Sequence, residues 1–371
     1  MNTPKSQAEK LLQKAGIAIN GNNDFDPQIY NEALYQQVLK GGSLALGEAY
    51  MEGWWDVKNL DELFYKMLMA RLQEKFSFSW PMLVTYLKFK VFNLETPVKA
   101  FEVAQKHYDI GNDVYEAMLD KRLVYTCGYW RDAQNLEEAQ EAKLDLVCKK
   151  IGLKKGDTIL DIGCGWGSFL KFAAQKYGAK GVGVTVSKEQ VKLGNELCKG
   201  LPVEIKLQDY RAVTGKFDHI VSLGMFEHVG PKNYKDYFAK SLKLLKDDGL
   251  FLLHTICQNK SGLSGDPWIE KYIFPNGVLP SIAQIAENCE GLFVAEDWHN
   301  FGADYDKTLM AWFENFDKAW PKLEKKYGQR FYRMWKYYLL TCAGMFRARK
   351  TQLWQVVLSK KGVLGGYKSI R

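Results

Sequence analysis

Residues 158–167 read Thr-Ile-Leu-Asp-Ile-Gly-Cys-Gly-Trp-Gly, and this stretch sets the expected fold. The short apolar run that ends near Asp161 is typical of a buried strand. The glycines that follow tolerate positive backbone angles and let a ligand approach the main chain closely. Ser168 has the residue type that caps a helix, with Phe169 and Leu170 inside the first turn. The pattern predicts a strand, a ligand-binding turn and a helix in direct succession.

The spacing of the glycines separates two kinds of cofactor site. A dinucleotide fingerprint requires G-x-G-x-x-G, whereas residues 163–167 read G-x-G-x-G. This spacing resembles motif I of S-adenosylmethionine (SAM) methyltransferases. On this stretch alone, an ordinary glycine-rich turn between strand and helix is the alternative.

From about residue 156 onward, strand-like and helix-like runs alternate. Such alternation is typical of a doubly wound α/β sheet, which binds ligands at the carboxyl ends of its strands. Two long insertions, 257–291 and 296–350, are rich in Trp, Tyr and Phe and are expected to build a substrate pocket. We therefore predict a Rossmann-like catalytic domain over 96–371. Its strand candidates are 158–162, 181–186, 203–207, 219–223, 250–256, 292–295 and 353–358.

Residues 1–95 are predicted to form a small, mostly helical N-terminal domain that contacts lipid. Apolar residues recur at helical spacing over 60–72. The run 76–92 is dense in aromatic residues and includes Lys88 and Lys90. A basic aromatic helix of this kind either lies at a bilayer interface or packs on the rest of the protein. Residues 93–97 are expected to be a linker.

The composition limits the possible classes of protein. The 371 residues are 47% hydrophobic and 25% charged, enough for a globular protein with an ample core. Without a long apolar run or an apolar N-terminal leader, we expect a cytoplasmic protein. Seven scattered cysteines with no C-x-x-C pair favour reduced thiols over a disulfide framework or a zinc site. The net charge of +8 permits attraction to a membrane or a nucleic acid, or reflects solvated lysines.

Polar residues follow the predicted strands at the edge where a cofactor would bind. The second strand ends at Thr185, with Gln190 close behind, and lacks the acid that often meets a ribose. Hydroxyl and amide groups remain to bind the ribose. The third strand ends in Gln208 and Asp209, whose carboxylate either accepts from an adenine amino group or caps a turn.

The fourth and fifth strands run into Glu227 and His254. Taken singly, a glutamate on the surface or a histidine in the core would be ordinary. Because adjacent strand ends face one cleft in a doubly wound sheet, the two side chains are expected to converge. No further ligands with suitable spacing accompany them, so we expect no metal site.

Longer motifs together resemble the cyclopropane-fatty-acyl-phospholipid synthases of the bacterial phospholipid type. The related mycolic-acid cyclopropane synthases share the catalytic part. The motifs span nearly the whole chain and lie at 42–48, 107–113, 125–130, 160–167, 224–234, 266–277, 296–306 and 343–349.

The resemblance implies transfer of the SAM methyl to a cis double bond of an unsaturated phospholipid acyl chain. Loss of a proton then closes a cyclopropane ring and leaves S-adenosylhomocysteine (SAH). In the family, the proton acceptor is a bound bicarbonate ion. By resemblance its cradle is Glu227, His254, Tyr305 and backbone groups of Cys127 and Ile256. The implied SAM contacts are Tyr125, Thr126, Gly163, Cys164, Gly165, Thr185, Gln190, Gln208, Asp209 and Phe226.

The chemistry of an alkene is consistent with this set of residues. An alkene has no acidic proton, so catalysis depends on placing the sulfonium methyl against the π bond. Aromatic faces stabilise the cationic carbon that methyl addition leaves. No thiolate nucleophile is needed, so Cys342 is not expected to take part.

The resemblance also implies a homodimer. The net charge and the basic aromatic run favour peripheral association with anionic lipids at the inner face of the membrane, and no nucleic-acid partner is expected. Two alternatives stay open. One is a SAM methyltransferase for a small amine or a sterol. The other is a non-catalytic membrane-surface protein on a decayed methyltransferase fold, against which the set Glu227, His254 and Tyr305 argues.

Overall fold

The computed structural model describes residues 3–72 and 111–371. In chain order, its helices and strands are α1 (Pro4–Gln13), β1 (Gln28–Ile29), α2 (Ala33–Met51), β2 (Trp55–Asp56), α3 (Leu60–Met69), α4 (Asn112–Met118), α5 (Leu136–Lys150), β3 (Thr158–Ile162), α6 (Ser168–Tyr177), β4 (Lys180–Thr185), α7 (Lys188–Leu197), β5 (Val203–Leu207), β6 (Phe217–Leu223), α8 (Tyr234–Leu244), β7 (Leu245–Gln258), α9 (Pro267–Tyr272), α10 (Ile282–Cys289), β8 (Val294–Asn300), α11 (Asp304–Arg347) and β9 (Thr351–Ser359).

The chain forms two compact units. The helical unit contains Met1–Phe92, Leu263–Pro275 and Tyr305–Thr351, and the α/β unit contains Asn93–Gly262, Asn276–Asp304 and Gln352–Arg371. A short part of the first aromatic insertion and most of the second therefore belong to the helical unit, and the division into domains 1–95 and 96–371 stays a prediction. The predicted boundary near residue 95, the aromatic run 76–92 and the linker 93–97 lie outside the described residues.

The α/β unit has a seven-stranded sheet in the order β5-β4-β3-β6-β7-β9-β8. Strands β3 to β7 pair in parallel, and β8 runs antiparallel to β9. The strand order reverses at β3, whose neighbours are β4 on one side and β6 on the other. A ligand site is expected outside the carboxyl ends of the strands at such a reversal. The predicted doubly wound sheet is confirmed, and each predicted strand overlaps an observed one.

The sheet is covered on both faces, as expected of parallel strands. Successive residues alternate between the faces, so Leu160 and Ile220 enter one core cluster while Ile159 and Val221 enter the other. Helices α5 and α6 supply apolar side chains to the second cluster, and α8 supplies them to the first. This packing fixes the strand ends that carry the polar residues.

The helical unit is joined internally by ion pairs and close packing. Arg347 of α11 lies 2.7 Å from Asp61 and 3.2 Å from Glu62 in α3, and 2.9 Å from Asp306. Gly344 sits so close to α3 that an added Cβ would lie 2.6 Å from the Asp61 carbonyl oxygen. The long span of α11 is interrupted at Gly328, whose φ of 73° ends one helix and begins the next.

Helices α1, α2 and α3 line much of an open apolar pocket of about 280 Å³ within the helical unit. Its lining includes Leu11, Leu34, Val38, Phe64 and Met67. No residue of α1 is fully buried, although this helix carries several of the lining side chains. Among the described residues, no helix has both the length and the apolar character needed to cross a bilayer.

Candidate active site at the carboxyl edge of the sheet

The glycine turn after β3 has the backbone geometry that its sequence predicts. Gly163, Gly165 and Gly167 have φ values of 80°, 55° and 77°, which side-chain-bearing residues rarely adopt. The N–H groups of Gly163 and Cys164 donate to the Val184 carbonyl at 2.9 and 3.2 Å. The turn is thereby tied to the end of β4 and held against the reversal point of the sheet.

Ser168 does not cap α6, and that prediction is wrong. Gly167 is the N-cap residue and makes no side-chain cap bond. The Ser168 hydroxyl instead donates to the carbonyls of Arg122 and Leu123, at 2.5 and 3.2 Å. It therefore ties α6 to the segment that precedes Tyr125, a role that local sequence rules do not reveal.

Asp161 lies on β3 directly before the glycine turn. Its side chain is buried, and Oδ1 has no hydrogen-bond partner among the described residues. Burial raises the pKa of this carboxyl to about 7, and the charge of Lys143 opposes the rise. A buried acid with an unused oxygen is costly unless a ligand supplies the partner.

Glu227 and Ile256, two of the residues that the resemblance assigns to a bicarbonate cradle, bond to each other. The Ile256 N–H donates to Glu227 Oε1 at 2.6 Å. The other oxygen, Oε2, is buried and has no hydrogen-bond partner within the described part of the chain. Burial raises the pKa of Glu227 to about 7, against the stabilising effect of the Ile256 N–H. Near neutral pH this carboxyl is poised between its two protonation states.

His254 is fully buried on β7, where it pairs with Leu223 of β6. Its Nδ1 lies 3.2 Å from Nε2 of Gln355 on β9. With that amide donating to Nδ1, the ring proton sits on Nε2, which has no hydrogen-bond partner in residues 3–72 and 111–371. Burial lowers the pKa of His254 far below its ordinary value, and the charges of Lys143 and Lys150 add to the effect. The ring is therefore neutral.

Sequence reasoning missed Gln355. The signal was present, because Gln355 is a fully buried amide in the apolar run Leu-Trp-Gln-Val-Val-Leu (353–358). An amide in the middle of a buried strand requires a partner. The histidine on the adjacent strand is that partner.

Three neighbouring strands thus carry, on or just after them, a buried polar group with an unused atom. Asp161 belongs to β3, Glu227 follows β6, and His254 lies on β7, and these strands are consecutive in the sheet. Buried polar atoms are normally paired, so each of these three is a candidate to receive a polar group from a ligand, although other buried polar atoms elsewhere in the described residues are also unpaired. His254 lies level with Leu223, the last residue of β6, and Glu227 follows that strand, but the convergence of the two side chains stays a prediction.

The segment around Thr126 is held from below by α5. Lys143 donates to Thr126 Oγ1 at 2.6 Å, and the Gln140 amide donates to the Thr126 carbonyl at 2.8 Å. Gly224 follows β6 with a φ of 74°, and a Cβ there would lie 2.8 Å from the Thr126 methyl carbon. Thr126 is therefore fixed between α5 and the end of β6.

Tyr125 and Cys127 flank Thr126. The Tyr125 ring meets Tyr115 edge to face, with centroids 5.2 Å apart. Cys127 is fully buried, and its thiol donates to the Gly128 carbonyl at 3.2 Å. A backbone role for Cys127 and a cofactor role for Tyr125 stay predictions.

The predicted ribose and adenine residues form a connected group. Thr185 Oγ1 donates to Gln190 Oε1 at 2.6 Å, and the Gln208 N–H donates to the Thr185 carbonyl at 2.9 Å. The Asp209 carboxylate accepts from the N–H and guanidinium of Arg211, at 2.8 and 3.0 Å. Asp209 therefore caps a turn, one of the two interpretations of its residue type, and its contact with adenine stays a prediction.

The remaining predicted residues lie in packed surroundings. Phe226 is fully buried and stacks on Tyr234 with centroids 4.3 Å apart. Cys164 is also buried. Tyr305, in the helical unit, packs on Phe346 with centroids 4.5 Å apart, and its catalytic role stays a prediction. Among the described residues, no cluster of histidine, cysteine or acidic side chains is suited to hold a metal ion.

Comparison with known proteins adds to this geometry. Residues 95–356 match the family described as mycolic acid cyclopropane synthetase. The chain belongs to this family. A relative along nearly the whole length is the cyclopropane-fatty-acyl-phospholipid synthase of Escherichia coli K12, which is 52% identical over 364 residues, covering 98% of this chain and 95% of the relative.

Solved structures of the family agree with the fold. The cyclopropane synthase MmaA2 from Mycobacterium tuberculosis is 33% identical, with a TM-score of 0.66, over 70% of this chain and 98% of its own. The mycolic acid cyclopropane synthase CmaA1, complexed with SAH and CTAB, is 33% identical over the same shares, with a TM-score of 0.65. The fold is that of the SAM-dependent methyltransferases, as the glycine spacing predicted.

Proposed function

We propose that this protein is a cyclopropane-fatty-acyl-phospholipid synthase. It transfers the SAM methyl to a cis double bond of an unsaturated phospholipid acyl chain, and deprotonation then closes the ring and leaves SAH. The observation that carries the proposal is the 52% identity to the Escherichia coli synthase over 98% of the chain. The three unpaired polar atoms at the carboxyl edge of the sheet support it, because they provide the site that the reaction needs.

The residues at this edge fit SAM. The glycine turn exposes the backbone to a ligand, and Thr185, Gln190 and Gln208 offer polar groups at the neighbouring strand ends. When bound, SAM supplies the electrophilic methyl group. Tyr125 and Thr126 are proposed to contact it, and Phe226 to border the methyl.

We propose that bicarbonate is the proton acceptor and that Glu227 and His254 hold it. A carboxylate beside an anion would repel it unless a proton is shared. Since burial raises the pKa of Glu227 to about 7, this carboxyl donates a hydrogen bond when it is protonated. The neutral His254 ring donates through Nε2. Ile256 acts through Glu227, since its N–H already donates to Oε1.

Membrane contact is proposed for the helical unit. The net charge of +8, which is that of the whole chain, favours an anionic surface. Leu39 and Met69 are 48% and 57% exposed, and α1, α2 and α3 line much of the open apolar pocket of about 280 Å³. The proposed enzyme is cytoplasmic, associates peripherally with the inner face of the membrane and forms a homodimer.

The reaction is tested with labelled SAM and liposomes that contain cis-unsaturated phospholipid. We expect acyl chains that gain one CH2 and lose the alkene, with turnover that depends on added bicarbonate. Label only on a water-soluble acceptor would identify a different methyltransferase. SAM and liposome binding without transfer would identify a binding protein.

Membrane contact is tested by co-sedimentation with anionic vesicles at low salt. Charge reversal of Lys88 and Lys90 is expected to weaken binding, because each lysine near an anionic surface contributes about 1 kcal/mol. Leu39→Asp and Met69→Asp are expected to weaken it as well. Unchanged sedimentation of all four variants would show that neither region meets the bilayer.

A further inference from the structure

Lys143 is a charged residue at a position where the helix pattern calls for an apolar one. On α5 it lies four residues after Ala139 and four before Val147, which are both buried, and it is itself fully buried. A buried charge costs several kcal/mol unless it gains strong interactions. A position that only needed to pack would be filled at lower cost by Leu or Met.

The hydrogen bond of Lys143 is directed at the proposed cofactor segment. Among the described residues its nitrogen bonds to the Thr126 hydroxyl, at 2.6 Å, rather than to a carboxylate. Gln140, one turn earlier on α5, donates to the carbonyl of the same threonine. Two polar side chains of one helix thus fix one residue of the segment 125–128.

Lys150 provides a comparison within the same helix. It is equally buried, but its ammonium lies 3.3 Å from the Asp297 carboxylate and 3.1 Å from His299 Nδ1. Its partners lie on β8, and neither hydrogen-bonds Thr126, although the His299 ring meets Tyr129 edge to face at 5.7 Å. The two lysines therefore lie on the same helix and are equally buried, but Lys143 bonds to Thr126 whereas Lys150 bonds to residues of β8.

We propose that Lys143 is a positioning residue for SAM binding, which fixes Thr126 through a charge-assisted hydrogen bond. The proposal rests on the placement of SAM at Tyr125 and Thr126. A charged donor makes a stronger and more directional bond than a neutral one. The charge of Lys143 also acts on Asp161 of β3, where it opposes the rise in the pKa of that carboxyl. Lys143 therefore affects a second residue next to the glycine turn.

The test compares SAH affinity, measured by calorimetry, with thermal stability in the full-length protein. Lys143→Met is expected to weaken SAH binding by about tenfold, the loss that corresponds to one charge-assisted hydrogen bond. Lys150→Met, the matched control, is expected to lose stability but to bind SAH within about twofold of wild type. In turnover assays, Lys143→Met raises the KM for SAM more than it lowers kcat at saturating SAM.

Thr126→Val removes the acceptor and keeps the shape of the side chain. It is expected to weaken SAH binding about as much as Lys143→Met, and the double variant no more than either alone. Equal SAH affinity in Lys143→Met and Lys150→Met would overturn the proposal. If Lys143→Met does not fold, wild-type SAH affinity in Thr126→Val overturns it. Wild-type protein that binds SAH but does not modify liposomes would contradict the proposed function and leave this inference standing.

Discussion

Arg347 in the helical unit and the acids at the carboxyl edge of the sheet show two ways of placing charged groups inside a protein. Arg347 has three acidic partners within 3.2 Å, all in its own unit. Asp161 and Glu227 are more deeply buried, yet each leaves an oxygen without a hydrogen-bond partner among the described residues, and His254 leaves a nitrogen. Such a buried atom costs about 1–3 kcal/mol. The difference indicates which groups find their partners in the fold and which await a ligand.

The same contrast exists within the α/β unit. The Asp297 carboxylate is buried but accepts from Arg371 at 2.7 Å and lies 3.3 Å from Lys150. The hydrogen bond from Arg371 lowers the pKa of Asp297 to about 2, against the opposing effect of burial, whereas burial raises that of Glu227. Replacing Asp297 and Glu227 by their amides therefore distinguishes a buried acid that stabilises the fold from one that serves the reaction.

The largest effect is expected from Glu227→Gln. We expect turnover on liposomes to fall 100- to 1,000-fold, roughly the loss seen when one preorganised polar group is removed from an active site. SAH affinity should stay near wild type, because Glu227 faces the proton acceptor in this account. Near wild-type turnover in bicarbonate-replete buffer would remove Glu227 from the mechanism.

The pH dependence of stability gives the next largest effect. Glu227 binds its proton more tightly in the folded protein, with a pKa of about 7 against an ordinary 4.5. Its contribution to the free energy of unfolding is therefore greatest below about pH 4.5 and is lost as the pH rises to about 7. Glutamine does not titrate, so Glu227→Gln should gain stability relative to wild type between about pH 5 and pH 8, by at most about 3 kcal/mol.

Denaturant unfolding of wild type and of Glu227→Gln, each at about pH 5 and about pH 8, measures this gain. The same difference in free energy of unfolding at both pH values would show that the pKa of Glu227 is not raised in the folded protein.

Asp297→Asn should show the opposite pattern. We expect a loss of about 2 kcal/mol in the free energy of unfolding, since a carboxylate hydrogen-bonded to Arg371 and close to Lys150 is replaced by a neutral amide. Turnover per folded molecule should stay within about twofold of wild type. A loss of turnover comparable to that of Glu227→Gln would break the distinction between paired and unpaired buried acids.

Gln355→Leu is expected to have the smallest effect, a loss of about tenfold in kcat. The variant removes the amide that donates to His254 Nδ1 and so fixes the tautomer and orientation of the ring. Removing a residue that orients an active-site imidazole typically lowers activity without abolishing it. Gln352→Leu, on the same strand and also buried, is the matched control and should retain kcat. Equal kcat in the two variants would show that Gln355 does not orient the ring.

The sequence predicted the parts of this fold that depend on local pattern. The apolar run before the glycines and the positive φ values at those glycines follow from local spacing, whereas the contact of Glu227 with the Ile256 N–H was implied only by the family resemblance. The prediction that Ser168 caps α6 was wrong because its hydroxyl bonds to carbonyls about 45 positions earlier. Lys143 and Gln355 were missed because periodicity shows that a position is buried but not which distant group pairs with it. Both were visible as polar residues in apolar patterns.

The central claim is that the unpaired atoms of Asp161, Glu227 and His254 form a ligand site. A crystal structure of the protein with SAH and bicarbonate tests it most directly. The account predicts ligand or ordered-water oxygen and nitrogen atoms within hydrogen-bond distance of Asp161 Oδ1, Glu227 Oε2 and His254 Nε2. A structure with both ligands bound elsewhere, and these three atoms still unpaired, would contradict it.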